Sequence, residues 1–198
     1  MDSSQKLQPS EAAGAIIGDG QTALIRMENE TIAAMAVARP RDHKAIVADL
    51  AAQFEAYPSF AERALYAKPV GRDKDGVMKY ARGLSVRAAE ALAAAWQYCR
   101  VEGSVEPIDD DTVRVVATFT DLQTGRVWRD AGIVSKWYKS AVGPMRKHDD
   151  DRFYNVVVKA EQSKRIREVI LRSVSPGLRT ELQTIAERVS SVLGAYCG

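Results

Sequence analysis

The stretch TVRVVATFT, Thr112–Thr120, decides the fold. Val113, Val115, Ala117 and Phe119 fall on one side, while Thr112, Arg114 and Thr118 fall on the other. A period of two is that of a strand with one face buried. Turn formers bracket it, Asp109-Asp110-Asp111 before and Gln123-Thr124-Gly125 after, and both sets suit tight reversals. The flanking runs RVEGSVEP (100–107) and RVWRDAGIVSKWY (126–138) complete an expected three-stranded antiparallel meander.

Upstream, Ser85 can cap a helix, VRAAEALAAAWQYC, whose stripe of Val86, Ala89, Leu92, Ala93 and Trp96 would lie across the sheet. Before it, LYAKPV (65–70) and VMKYAR (77–82) flank a Gly- and Asp-rich centre, the pattern of a β-hairpin with a charged tip. Pro69 implies an edge position, and Gly83 is expected to break the strand. Three helices come earlier: 22–38, 43–57 capped by Asp42, and a short one opened by Pro58. Downstream, a polar loop (139–151) leads to a long helix over 152–174, capped by Asp151 and ended by Pro176-Gly177, and then to a last helix over 178–194. The order ααα-ββ-α-βββ-αα describes an α+β domain with helices on one face of an antiparallel sheet. It spans residues 21–198, and residues 1–20, rich in Ser, Gln, Ala and Gly, read as a disordered tail.

At 198 residues, 46% hydrophobic and 27% charged, the chain can bury a core without staples. Its two cysteines, Cys99 and Cys197, are far apart. Cys99 is expected to end the Ser85 helix as a buried thiol, and the pattern suggests a reducing compartment. No run reaches the roughly 18 apolar residues of a membrane span, so a cytoplasmic location is expected. Neither GxxxxGK[ST] nor GxGxxG occurs, which removes support for nucleotide chemistry and for a nucleotide cofactor. His43 and His148 lack ligand-spaced partners, so no structural metal is expected. The triplets Asp109–Asp111 and Asp149–Asp151 read as turn and cap residues. Their alternative is a shared Mg²⁺ site of a nuclease. No catalytic residue is assigned, and the chain is not expected to be an enzyme.

Charge is unevenly spread. Lys plus Arg against Asp plus Glu runs 6 to 9 over residues 1–64, 6 to 2 over 65–87, 4 to 8 over 88–135 and 12 to 7 over 136–198. Folding that joins the two basic segments would make a positive groove. The hairpin supplies Lys68, Arg72, Lys74, Lys79 and Arg82 beside Tyr66 and Tyr80. Lys136-Trp137-Tyr138-Lys139 ends the third strand, with Arg146-Lys147 beyond it. In the long helix, Glu161–Arg165 and Glu168–Arg172 are i,i+4 pairs, whereas Lys164 and Arg167 have no acid four residues before them. Cations among aromatic rings are what single-strand binding uses, because cations track phosphates and rings stack on any base. Tyr66, Trp128 and Trp137 equally suit a core or sheet face.

A resemblance gives these patches a context. The order helix, hairpin, helix, meander and long helix is similar to the core of the single-strand annealing proteins, which include the phage Redβ and RecT recombinases. ARPRD (Ala38–Asp42), PSFAERALY (Pro58–Tyr66) and ARGLSVRAAEALAAAW (Ala81–Trp96) look like a group of phage-encoded proteins found in recombination gene clusters. KAEQSKRIREVILRSVSP (Lys159–Pro176) resembles the basic helix after their meander. The resemblance covers about 38–176. It implies ATP-independent annealing of single-stranded DNA into duplex by a homo-oligomeric ring or filament. It also implies DNA contacts by Lys68, Arg72, Lys74, Lys79, Arg82, Arg87, Lys136, Trp137, Lys139, Lys164 and Arg167, with Arg82 and Arg87 at the start of the Ser85 helix. The final helix, 178–194, leaves little chain for the separate partner-binding domain of Redβ. The alternative is a phage-type interaction or inhibitor module that docks a host protein through its exposed helices and binds no DNA.

Overall fold

A computed structural model describes residues 9–139 and 143–196, with side chains described over 22–139 and 143–191. Contacts divide the chain into two units, Met1–Pro40 and Arg41–Gly198. The first unit is one helix, α1 (Pro9–Ala38). Residues 9–20, expected as part of a tail, have helical backbone, and residues 1–8 lie outside the described ones.

The second unit is built on β3 (Cys99–Asp109), β4 (Thr112–Asp121) and β5 (Arg126–Ser135), in the order β3-β4-β5. All pairing is antiparallel, with Gly103 opposite Ala117 and Ala117 opposite Asp130. Val113, Val115, Ala117 and Phe119 are all buried, which is the expected inner face of β4. Burying each larger side chain contributes roughly 1.5–3 kcal/mol. Val116, on the opposite face, is also buried. The meander forms as expected, but its edges differ. Cys99 opens β3 instead of ending a helix, because α4 (Val86–Trp96) stops at Gln97 and Tyr98, with φ of 53° and 44°. Two successive left-handed non-glycine residues are costly unless held. Arg41 holds this turn, donating from Nε to the Trp96 carbonyl at 2.8 Å and from NH2 to that of Gln97 at 3.1 Å.

The expected third strand, 126–138, breaks at Lys136. There the Lys136 N–H donates to the Asp111 carbonyl and its own carbonyl accepts from the His148 N–H. Chain expected as loop then forms a second hairpin, β6 (Trp137–Lys139) with β7 (Met145–Lys147).

Asp149, not Asp151, caps the next helix, accepting from the Arg152 N–H at 2.8 Å. That long helix is composite. A short α5 (Asp150–Arg152) leads into a π-helical segment, Phe153–Val158, and then α6 (Lys159–Ser173). The i→i+5 winding of a π-helix puts Phe153 and Val158 on one side. Both are buried against Val113 and Val115.

Farther on, Gln162 approaches Gly103, and Arg165 and Glu161 approach Gly132. A Cβ on either glycine would stand 2.8 Å or less from those side chains, so the helix lies on the sheet where the strands lack side chains. Pro176 does more than end the long helix; it opens α7 (Pro176–Tyr196), with the Ser175 hydroxyl accepting from the Leu178 N–H.

The main core joins α2 (His43–Ala56), α3 (Pro58–Arg63), α4, α6 and α7 to Ala117 and Phe119. Asp42 and Ser85 cap α2 and α4 as expected. A first hairpin, β1 (Leu65–Arg72) with β2 (Met78–Leu84), departs from this core between α3 and α4. Gly83 lies within β2, paired with Tyr66, and does not end it.

Candidate nucleic-acid interface

The first hairpin sorts its side chains by strand alternation. Lys79, Ala81 and Gly83 share one face of β2, opposite Gly71, Lys68 and Tyr66 of β1. Lys68 and Lys79 are therefore diagonal neighbours on the face that carries Tyr66. Arg82 and the exposed Tyr80 belong to the other face. The register shifts between Pro69 and Gly71, and Val70 and Val77 are exposed near the tip. The turn is held by Asp73, whose carboxylate accepts from the Asp75 and Val77 N–H groups. Arg72 donates to the Gly76 carbonyl, and Lys74 sits on the turn. Lys68, Lys74, Lys79, Arg82 and Arg87 are exposed, and among the described residues no ion-pair or hydrogen-bond partner holds their side chains. Ser85 fills the start of α4, accepting from the Ala88 N–H and donating to the Arg63 carbonyl.

At the base of the hairpin, the Arg167 guanidinium lies 4.8 Å over the Tyr66 ring, a cation–π distance. The Tyr66 ring covers Gly83. Lys164 and Arg167, expected as the freer cations of this helix, find acids at other spacings. Lys164 meets Glu161 one turn earlier at 3.7 Å, and Arg167 meets its neighbour Glu168 at 2.9 Å. The pair Glu161–Arg165 forms as expected, and Asp130 of β5 joins it at 2.9 Å from Arg165. Arg172 reaches both Glu168 and Asp130. Arg165 is thus a clamp between helix and sheet.

Around the second hairpin, the assignment of Lys136 to a DNA contact is corrected. Its side chain is only 9% exposed. Nζ donates to the Asp110 carbonyl at 2.7 Å and pairs with Asp150 at 2.8 Å and Asp111 at 3.9 Å. The hydrogen bond to Asp150 holds its pKa above the usual lysine value, against the opposing effect of desolvation. The two aspartate triplets do meet, but an ammonium joins them. Lys147 adds a second, 2.7 Å from Asp111. Among the described residues no group of three His, Cys, Asp or Glu side chains is arranged to hold a metal.

Asp111 also accepts from Trp137 Nε1 at 2.8 Å. Hydrogen bonds from Lys147 and then Trp137 hold its carboxyl below the usual range. Trp137 is 45% exposed and carries Lys147 5.4 Å from its ring centre. Tyr138 stacks on His148 with centroids 4.2 Å apart. Tyr138, Tyr154 and Met145 are all exposed. The side chains of Lys139 and Arg146 have no ion-pair or hydrogen-bond partner among the described residues.

The predicted cations therefore form two patches. Arg167 follows Tyr154 by thirteen positions along the helix, roughly 20 Å at 1.5 Å per residue. One patch is the first hairpin with Arg167; the other is the second hairpin with the start of the π segment. Sequence reasoning missed Tyr154 as a member of the second patch, while Arg146 was read beside it. It also missed Arg179, a cation in the first turn of α7, where the helix dipole disfavours one; that placement was the available signal. The Arg41–Asp121 ion pair, bidentate at 3.0 Å and buried on both sides, had no local signal at all.

The fold is α+β, and among the described residues no helix is long and apolar enough to cross a membrane. No protein-family model, curated protein or solved structure matches the chain.

Proposed function

We propose that the protein binds single-stranded DNA and anneals it to a complementary strand without ATP, in phage-type recombination. One observation supports this most. Lys68 and Lys79 stand exposed and unpaired on the same hairpin face as Tyr66, whose ring carries Arg167. Unpaired lysines leading to an arginine-stacked ring form a track that holds phosphates and does not read bases. The second patch, with exposed Trp137, Tyr138 and Tyr154 beside Lys139 and Arg146, offers rings for base stacking, each stack contributing about 1–3 kcal/mol. The similarity to annealing proteins adds a homo-oligomeric ring or filament to this reading.

Titrating a fluorescent single-stranded oligonucleotide at low and moderate salt tests it. Affinity should fall steeply with salt, as counterions return to the strand. No binding at low salt by folded protein rules the proposal out.

A second reading has its own observation. Helix α1 exposes Leu24, Met27, Met35 and Val37, apolar residues suited to docking another protein. On that reading the chain is an interaction or inhibitor module, and the same titration gives no signal.

A further inference from the structure

We infer that the cleft between the base of the first hairpin and the first turn of α7 is a discrete site for a phosphate group, held by Arg167 and Arg179. The cleft measures about 320 Å³, and Tyr66, Arg167, Glu168, Arg179, Thr180 and Gln183 line it. It goes beyond the strand-binding proposal and stands without it.

Three observations converge. First, both guanidinium groups are under-used. Arg167 gives one N–H to Glu168, and Arg179 has no ion pair among the described residues. In each, Nε is buried without an acceptor. Arginine carries five donors in a planar fork matched to phosphate oxygens, so a cleft with two such groups has donors in excess. Second, the site is positive beyond its side chains. Arg179 sits in the first turn of α7, just after Pro176, where the helix dipole already places partial positive charge. A partly buried cation there, with no acid of its own, lacks a counter-charge that an anion would provide. Third, the fork of Arg167 is oriented in advance. Its guanidinium carbon lies 4.8 Å from the Tyr66 ring centre and Glu168 takes only NH2, which leaves its other N–H groups to bind.

Glu168 is the one carboxylate in the cleft. It pairs with Arg167 and stands 3.9 Å from Arg172, so it sets the affinity by competing with the ligand. Two sources present the same chemistry: free phosphate, or a phosphodiester of a nucleic-acid strand.

The test monitors the arginine Nε–Hε resonances of the full ¹⁵N-labelled chain while inorganic phosphate replaces chloride at constant ionic strength. Two resonances, absent from the spectra of Arg167→Lys and Arg179→Lys respectively, should shift saturably together. Arg179→Gln should weaken the response roughly tenfold or more, the loss of one charge-assisted bond, and Glu168→Gln should strengthen it. The same spectra with a single-stranded oligonucleotide separate the sources. Shifts at far lower concentration than phosphate requires identify the strand backbone as the ligand. Shifts with phosphate alone identify the free ion, and leave the strand-binding proposal to its own titration. Non-saturating drift shared by all arginines, or no shift with either ligand, overturns the site.

Discussion

The Arg167 guanidinium lies 4.8 Å over the Tyr66 ring, and that ring also packs against Gly83, so one tyrosine ties the hairpin to the helix that crosses the sheet. A Cβ on Gly83 would stand 3.0 Å from Tyr66 Cε1, closer than a methyl and a ring carbon settle. Gly83→Ala is expected to displace the ring and cost about 1–3 kcal/mol, the range of overpacking. Urea denaturation measures it, and a variant as stable as the parent means the ring does not rest there.

Lys68 and Lys79 carry no partner to lose, so replacing both with Gln should leave the melting temperature unchanged. If they meet phosphates, the slope of log affinity against log salt should become shallower by about 1.4, two contacts at roughly 0.7 each on a single strand. An unaltered slope removes this face of the hairpin from the interface.

How far the sequence reveals these features depends on the range of the interactions. The alternation in β4, the Asp42 and Ser85 caps and the first hairpin depend on neighbours within a few residues, and all are legible. The break at Lys136 is not. GIVSKWYK continues the strand pattern, and only the Asp110 carbonyl, 26 residues away, together with Asp150, gives this lysine a reason to turn inward. The Arg41–Asp121 pair spans 80 residues. Range altered the site as well. Arg167 has no acid at helical spacing, yet the adjacent Glu168 bends back to it, while Arg179 gains its importance from a cleft no linear spacing announces.

Burial alone would raise the pKa of Asp121, but the hydrogen bonds and charge of Arg41, with the Gln123 N–H, outweigh it and hold the carboxyl below its usual value. A depressed carboxyl contributes stability that is present above the unfolded value, about 3.9, and is lost as pH falls through the folded one. Asp121→Asn leaves Arg41 buried and uncompensated. It should cost about 3–5 kcal/mol near neutral pH and flatten the acid limb of the stability curve. Stability measured from neutral to acid pH checks both; an acid limb as steep as the parent's assigns it to other carboxylates.

Asp111 joins Trp137 to Lys147, so its protonation should be visible in Trp137 emission. Because its carboxyl is held low by Lys147 and Trp137, the change should come below the ordinary aspartate range, be absent in Trp137→Phe, and disappear in Asp111→Ala. The same acid transition persisting in Asp111→Ala would show that another group controls the indole.

Cys99 donates to the Ala93 carbonyl at 3.3 Å, and burial pushes its thiol up to about 11, with Arg41 opposing. It should react slowly with a disulfide reagent at neutral pH. Asp121→Asn, which loosens the adjacent turn, should speed that reaction; an unchanged rate separates the thiol from the Arg41 clamp.

The most direct measurement of the central claim is the rate of duplex formation when protein-bound single strands meet their labelled complement in Mg²⁺-free, ATP-free buffer. The account expects faster pairing than by the strands alone, with the gain lost in Lys68→Gln/Lys79→Gln. Pairing no faster than in the protein's absence, with the protein folded and the first strand bound, would contradict annealing and leave a strand-binding protein only.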